Sequence, residues 1–166
     1  MKIRYELESD IKSIWAINAS AFPTQAEANL VDALRSSADC ISLVADIENE
    51  IVGHILFTPV SLVDSAGISI AGLAPMSVLS ANQKTGIGSS LIQRGIEECV
   101  LKGYDAIVVL GHPDYYPKFG FIRSGNYGIK SEYDVPDDVF MIQELKLDAL
   151  KHVEGVIKYH DAFNDV

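Results

Sequence analysis

Two short stretches and one carboxylate in this 166-residue chain carry residue types that could do chemistry. The first stretch is "QKTGIG", Gln83 to Gly88, set between an apolar run ending at Leu79 and an amphipathic run from Ile87 to Leu101. A turn needs one glycine; two glycines, two residues apart, suggest a backbone that bends and also lets a ligand come close. Gly86 can take positive φ without penalty. The unpaired N–H groups at a helix start converge on such a turn, which suits a phosphate or pyrophosphate. An NTP-binding loop does not fit, because the lysine precedes the glycines, and the dinucleotide fingerprint fails because only two glycines are in register. From its own residues the stretch has two readings, an anion site or a plain strand-to-helix turn.

The second stretch is "HPDYYPKFGF", His112 to Phe121. His112 follows a predicted strand, and ligand clefts in α/β folds open at strand ends; a lone histidine is otherwise structural. Pro113 and Pro117 bracket Tyr115 and Tyr116 in a rigid turn, and by residue type alone Tyr116 reads as a packing aromatic. The carboxylate is Glu27, on a predicted helix, where the default reading is a surface acid. His54, His152 and His160 have no cysteine or carboxylate at metal-ligand spacing, so no metal site is expected.

The elements that must position these residues follow from periodicity. Lys2–Leu7 alternates as a half-exposed strand; "SD" then starts a helix with Ser9 as cap and Ile11, Ile14, Trp15 and Asn18 along one side. A second helix restarts after Pro23 with Thr24 as cap and Ala26, Leu30, Val31 and Leu34 inward. Residues 41–64 read as two strands about a polar turn, with Pro59 at a bulge or edge. Residues 67–79 are nearly all apolar, so the strand there is covered on both faces, and Pro75 must interrupt its ladder. A central strand interrupted near its end can splay from its neighbour and open a cleft beside the QKTGIG loop. The helix after that loop places Ile87, Leu91, Ile92, Ile96, Cys99 and Val100 on one face and ends at Gly103. A short buried strand (residues 105–111), the tyrosine turn, a strand near Phe121 and a last long strand at residues 139–147 complete a mixed α/β pattern.

Bulk composition narrows the class. Apolar content of 48% and charged content of 22% are those of an ordinary globular protein. A net charge of −10 opposes binding to nucleic acid. Cys40 and Cys99 lie inside apolar runs and read as reduced core residues. The N-terminal residues carry no secretory apolar region, and no apolar stretch reaches membrane-spanning length, so a cytoplasmic protein without a membrane partner is expected.

The stretch "VLSANQKTGIGSSLI" resembles motif A of the GNAT superfamily of N-acetyltransferases, with Gln83, Gly86 and Gly88 at the motif positions. "YYPKFGF" is similar to that family's following motif, in which a tyrosine stands four residues before Gly-Phe; here these are Tyr116 and Gly120–Phe121. The tail "VIKYHDAF" resembles the ending of a bacterial branch, so the likeness covers nearly the whole chain. The resemblance implies one domain over residues 1–166, with an α/β GNAT fold. Its mixed, mostly antiparallel sheet would be splayed between strands 4 and 5 and flanked by helices. It implies acetyl-CoA as co-substrate and no metal. The pyrophosphate would lie on Gln83, Lys84, Thr85, Gly86, Ile87, Gly88 and Ser89. Pantetheine would run beside Met76, Ser77 and Val78, with Tyr115 and Phe119 as walls. Tyr116 would act as general acid toward the leaving thiolate. No acid occurs between Gly67 and Gln83, where some members place a base, which leaves His112 or Glu27 as candidate bases. The activity implied is acetyl transfer to an amine, on a small molecule or a peptide, by a monomer or homodimer. The alternative is a non-catalytic acyl-CoA sensor or interaction domain on the same fold.

Overall fold

The computed structural model describes residues 1–65 and 67–166. Their Cα packing defines two compact units, one of residues 1–58, 74–97 and 161–166, the other of residues 59–73 and 98–160. Three long elements pass through both: strands β3 (Glu50–Leu62) and β4 (Ile70–Val78), and helix α3 (Ile87–Leu101).

In the first unit, β1 (Lys2–Tyr5) pairs antiparallel with β2 (Ile41–Ile47), and β2 pairs antiparallel with β3. The β2 pattern is buried at five successive positions, as expected for a strand covered on both faces. Helices α1 (Ile11–Ala21) and α2 (Ala26–Ser37) pack here. Ile14 of α1 and Leu30, Val31 and Leu34 of α2 form one cluster with Val44 and Leu56, against which Cys40 and Phe163 also pack. The start of α1 differs from expectation. A 3-10 turn over Glu8–Asp10 precedes the helix, and Asp10, not Ser9, takes the exposed N–H, accepting from Leu7 N at 2.7 Å. Asp10 suits the place because the Arg4 guanidinium bonds it at 2.7 Å and holds its carboxyl below the usual range. At α2 the cap position falls to Gln25, one residue after the expected Thr24, and Thr24 Oγ1 accepts from Ala26 N at 3.2 Å.

In the second unit, β4 runs parallel to β5 (Ala106–Leu110), with Ile70 opposite Ala106 and Leu73 opposite Val109. That ladder ends at Leu73, two residues before Pro75. β5 pairs antiparallel with β8 (Phe140–Glu144), and β8 with the short β6 (Ile122–Arg123). The strand at residues 140–144 is therefore shorter than its apolar run suggests, and it is not the last. Glu144 ends it by turning its carboxylate onto the N–H groups of Asp148 and Leu150 at 3.1 and 3.0 Å. Beyond it β9 (Gly155–Lys158) pairs with the end of β3 and with β7 (Ile129–Ser131). Helix α3 buries Ile87, Leu91, Ile92 and Cys99 as expected, but leaves Val100 51% exposed. A position next to Cys99 lies about 100° around the helix, off the buried stripe. The parallel β4–β5 pair within otherwise mainly antiparallel strands, flanked by helices, is the mixed architecture expected from the sequence.

Candidate active site

The loop between β4 and α3 is built from backbone. Lys84 and Gly86 both take positive φ, +62° and +89°, and a side-chain carbon added at Gly86 would meet nothing within 4 Å. The N–H of Gln83 is committed to Ser80 O at 3.4 Å and that of Ser90 to Gly86 O at 3.0 Å. Between them, the N–H groups of Lys84, Thr85, Gly86, Ile87 and Gly88 have no backbone acceptor among the described residues. Five donors at the head of a fifteen-residue helix suit an anion through both their hydrogen bonds and the helix dipole. Two side chains brace the loop rather than reach outward. Gln83 Nε2 donates to Val78 O at 3.2 Å, tying the loop to the end of β4, and Thr85 Oγ1 donates to Asn82 O at 2.5 Å. Along that strand end Met76 and Val78 are half-buried and Ser77 is buried.

The tyrosine turn belongs to the second unit and is built from side-chain packing. His112 O accepts from Tyr115 N at 3.1 Å and Tyr116 N at 3.4 Å, and a 3-10 turn over Tyr116–Phe119 closes at Gly120, whose φ is +99°. The Tyr116 ring meets Tyr115 and Phe121 edge-on, with centroids 5.2 and 5.8 Å apart. It also lies against Gly111, where any side-chain carbon would overlap the ring. Burial pushes the Tyr116 phenol up to about 12, with Tyr115 adding to the shift. Tyr115 is half-buried, edge-on to Phe119 at 5.3 Å and beneath Lys118 Nζ at 4.5 Å. The His112 side chain is exposed. The fold thus gathers His112, Tyr115, Tyr116 and Phe119 into one turn, and Met76–Val78 and Gln83–Ser89 into one strand–loop–helix junction.

Glu27, in the first turn of α2, keeps one carboxylate oxygen, Oε2, out of solvent without a hydrogen-bond partner among the described residues. Among those residues no group of three or more His, Cys, Asp or Glu side chains could hold a metal. Among the described residues no helix is long and apolar enough to cross a membrane. Among the described residues neither Cys40 nor Cys99 is in a disulfide. What the sequence reading missed is a buried polar chain through Asn18, His54, Ser42 and Ser77, whose signal was an asparagine on the inward side of α1 and a histidine in an apolar strand.

The open N–H groups at the start of α3 and the buried Tyr116 before Gly120–Phe121 are the two features on which the family resemblance of the sequence rests. A profile of the acetyltransferase (GNAT) domain matches residues 38–123. The uncharacterised N-acetyltransferase YhbS of Escherichia coli K12 is 32% identical over 166 residues, covering 99% of each chain. YjhQ of the same organism, likewise an uncharacterised N-acetyltransferase, is 37% identical over 148 residues, 83% of this chain and 81% of that one. The crystal structure of E. coli YhbS in complex with CoA superposes with a TM-score of 0.93 at 30% identity, covering 98% of this chain and 91% of that one. A GNAT acetyltransferase from Brucella melitensis in complex with acetyl-CoA superposes at 0.81 with 32% identity, covering 98% and 97%. The chain belongs to the GNAT acetyltransferase family and is an acyltransferase.

Proposed function

We propose that this protein moves an acetyl group from acetyl-CoA to a primary amine by direct attack of the amine in a ternary complex. The observation that carries this reading is the row of five N–H groups, Lys84 to Gly88, at the head of α3 that have no backbone acceptor among the described residues. The residues fit the donor: the loop is exposed, its Gly86 face is open, and Lys84 adds a positive charge beside the phosphates. Acetyl-CoA supplies the activated carbonyl. The strand end at Met76–Val78 holds the pantetheine arm, and a backbone N–H there donates to the carbonyl oxygen as it gains charge. Tyr115 and Phe119 wall the arm.

In this reading Tyr116 assists the departing sulfur. With its pKa pushed up to about 12 the phenol keeps its proton at every pH at which the enzyme would work. It is also a far weaker acid than a thiol of about 8.5. Its contribution is therefore a hydrogen bond that strengthens as the sulfur becomes negative, not a completed proton transfer. An amine attacks only when neutral, so a base or a water chain must take its proton. His112, exposed on the tyrosine turn, and Glu27, with one unpartnered buried oxygen, are the two candidate bases. We place the protein in the cytoplasm, where acetyl-CoA is available.

The test is product formation: acetyl-CoA and a panel of small and peptide amines, with CoA release and acetylated amine measured together. One acetylated amine per CoA released supports the reading. Tight CoA binding with no amine acetylated across the panel would replace it with a non-catalytic acyl-CoA sensor.

A further inference from the structure

Four buried polar side chains on four elements form one continuous chain in the first unit. Ser77 Oγ of β4 donates to Asn18 Oδ1 of α1 at 3.0 Å. Asn18 Nδ2 donates to Ile14 O at 3.0 Å and meets His54 Nδ1 of β3 at 3.2 Å. His54 Nε2 meets Ser42 Oγ of β2 at 2.8 Å. An amide nitrogen has two donors and no lone pair to offer, so Asn18 fixes every direction in the chain. Nδ1 of His54 must accept, and its single proton sits on Nε2 and is donated to Ser42. Turning the Asn18 amide over would set its oxygen against Ile14 O, two acceptors face to face. The arrangement has one state. The charge felt at His54 is that of Arg35 on α2, itself paired with Glu6 and Asp32. Burial pushes the imidazole down to about 3, so the ring stays neutral through the physiological range.

We infer that Asn18 and His54 are positioning residues that act through Ser77 to fix how the end of β4 is rotated about its own axis. This rests on the reading of that strand end as the donor-binding edge. The β4–β5 ladder ends at Leu73, so the stretch from Ala74 to Val78 has lost one source of alignment. Side chains alternate along a strand, and Ser77 turned inward puts Met76 and Val78 on the other face, as their partial exposure shows. Rolling this strand end would pull Ser77 from Asn18 and leave a buried acceptor unpaired. The chain thereby sets the direction in which the backbone N–H groups of Met76 to Val78 aim. His54 touches no reacting atom; it holds Asn18, and Asn18 holds the strand.

The test uses Ser77→Ala, Ser77→Thr, His54→Leu and the Ser77→Ala/His54→Leu double variant. Hydrogen exchange at residues 76–79 is measured without ligand, together with acetyl-CoA affinity and turnover. Ser77→Ala and His54→Leu should each speed exchange there, and each should lower turnover roughly tenfold, as a slightly misaimed donor would. Acetyl-CoA affinity should stay within about twofold, because most binding contacts remain elsewhere. Acting through one chain, the double variant should be no slower than the worse single one, and Ser77→Thr should recover most of the turnover. Multiplying losses in the double variant, or unchanged exchange at residues 76–79 in His54→Leu, would overturn the inference. If His54→Leu does not fold, the Ser77 pair decides: equal turnover with alanine and threonine overturns it. A wild type that ignores acetyl-CoA would sink the transfer reading instead, and the rotation claim would then stand or fall on exchange alone.

Discussion

The loop at Gln83–Ser89 and the turn at His112–Phe121 would do the work proposed for them by opposite means. In the loop the donors are backbone N–H groups, and the side chains of Gln83 and Thr85 face back into the protein as braces. In the turn the backbone only shapes the chain, and the group proposed to act is one phenol wedged among Gly111, Tyr115 and Phe121. A site made of backbone tolerates most side-chain changes and fails when φ is forbidden. A site made of a packed side chain tolerates no new atom beside it. The two regions should therefore break differently, the loop losing affinity and the turn losing turnover.

The largest effect is expected at Gly86. Its φ of +89° is open to glycine and costly for a β-branched residue, even though the space around it is free. At about a hundredfold over its dissociation constant, CoA should stabilise the wild type by roughly 2.7 kcal/mol. In Gly86→Val that shift should vanish in thermal melts. A full shift in the variant would mean that the phosphates sit elsewhere.

Next comes Gly111→Ala, which probes the turn through the same kind of residue but a different cause. The new methyl would overlap the Tyr116 ring, which Tyr115 and Phe121 keep from moving aside. Overpacking of this sort costs about 1–3 kcal/mol, and the melting point should fall by roughly 5 °C. Turnover should drop while CoA still stabilises the fold. An unchanged melting point would show that the ring is not held as tightly as its contacts indicate.

A smaller, pH-dependent effect should identify the base. Turnover should rise toward alkaline pH as the amine loses its proton, and Gln substituted at His112 or at Glu27 should flatten that rise several-fold in only one of the two proteins. Identical profiles in wild type and both variants would remove both residues from the mechanism.

How much of this was legible in the sequence depends on how local each signal is. The glycine spacing of the loop and the stop at Gly103 are set by neighbours a few residues away, and each stands where its residues suggest. Pro75 likewise marked where the parallel ladder ends. The run at residues 139–147 misled because apolar residues alone do not fix a strand's length; Glu144 ends it by binding N–H groups four and six residues on. Ser9 lost the helix start to Asp10 because Arg4, on a different element, favours a carboxylate there. The Asn18–His54 chain was illegible for a stronger reason. Its members span residues 18 to 77, and only the folded sheet brings them within hydrogen-bond distance. Gly111 gave no sign of its role either, since the ring that requires it lies five residues on.

The division of labour between loop and turn is tested most directly by Tyr116→Phe, with acetyl-CoA affinity and turnover measured on the same protein. The substitution keeps the ring and its packing and removes only the hydroxyl. Because a thiolate is a fair leaving group unaided, turnover should fall by about 10²-fold, the low end for loss of one hydrogen-bond donor to developing charge. Acetyl-CoA affinity should stay unchanged, since the lost bond forms only as sulfur gains charge. Tyr115→Phe, the neighbouring control, should cost much less. Equal turnover in the wild type and Tyr116→Phe would make the tyrosine a packing residue, and a loss confined to affinity would place it in the CoA wall.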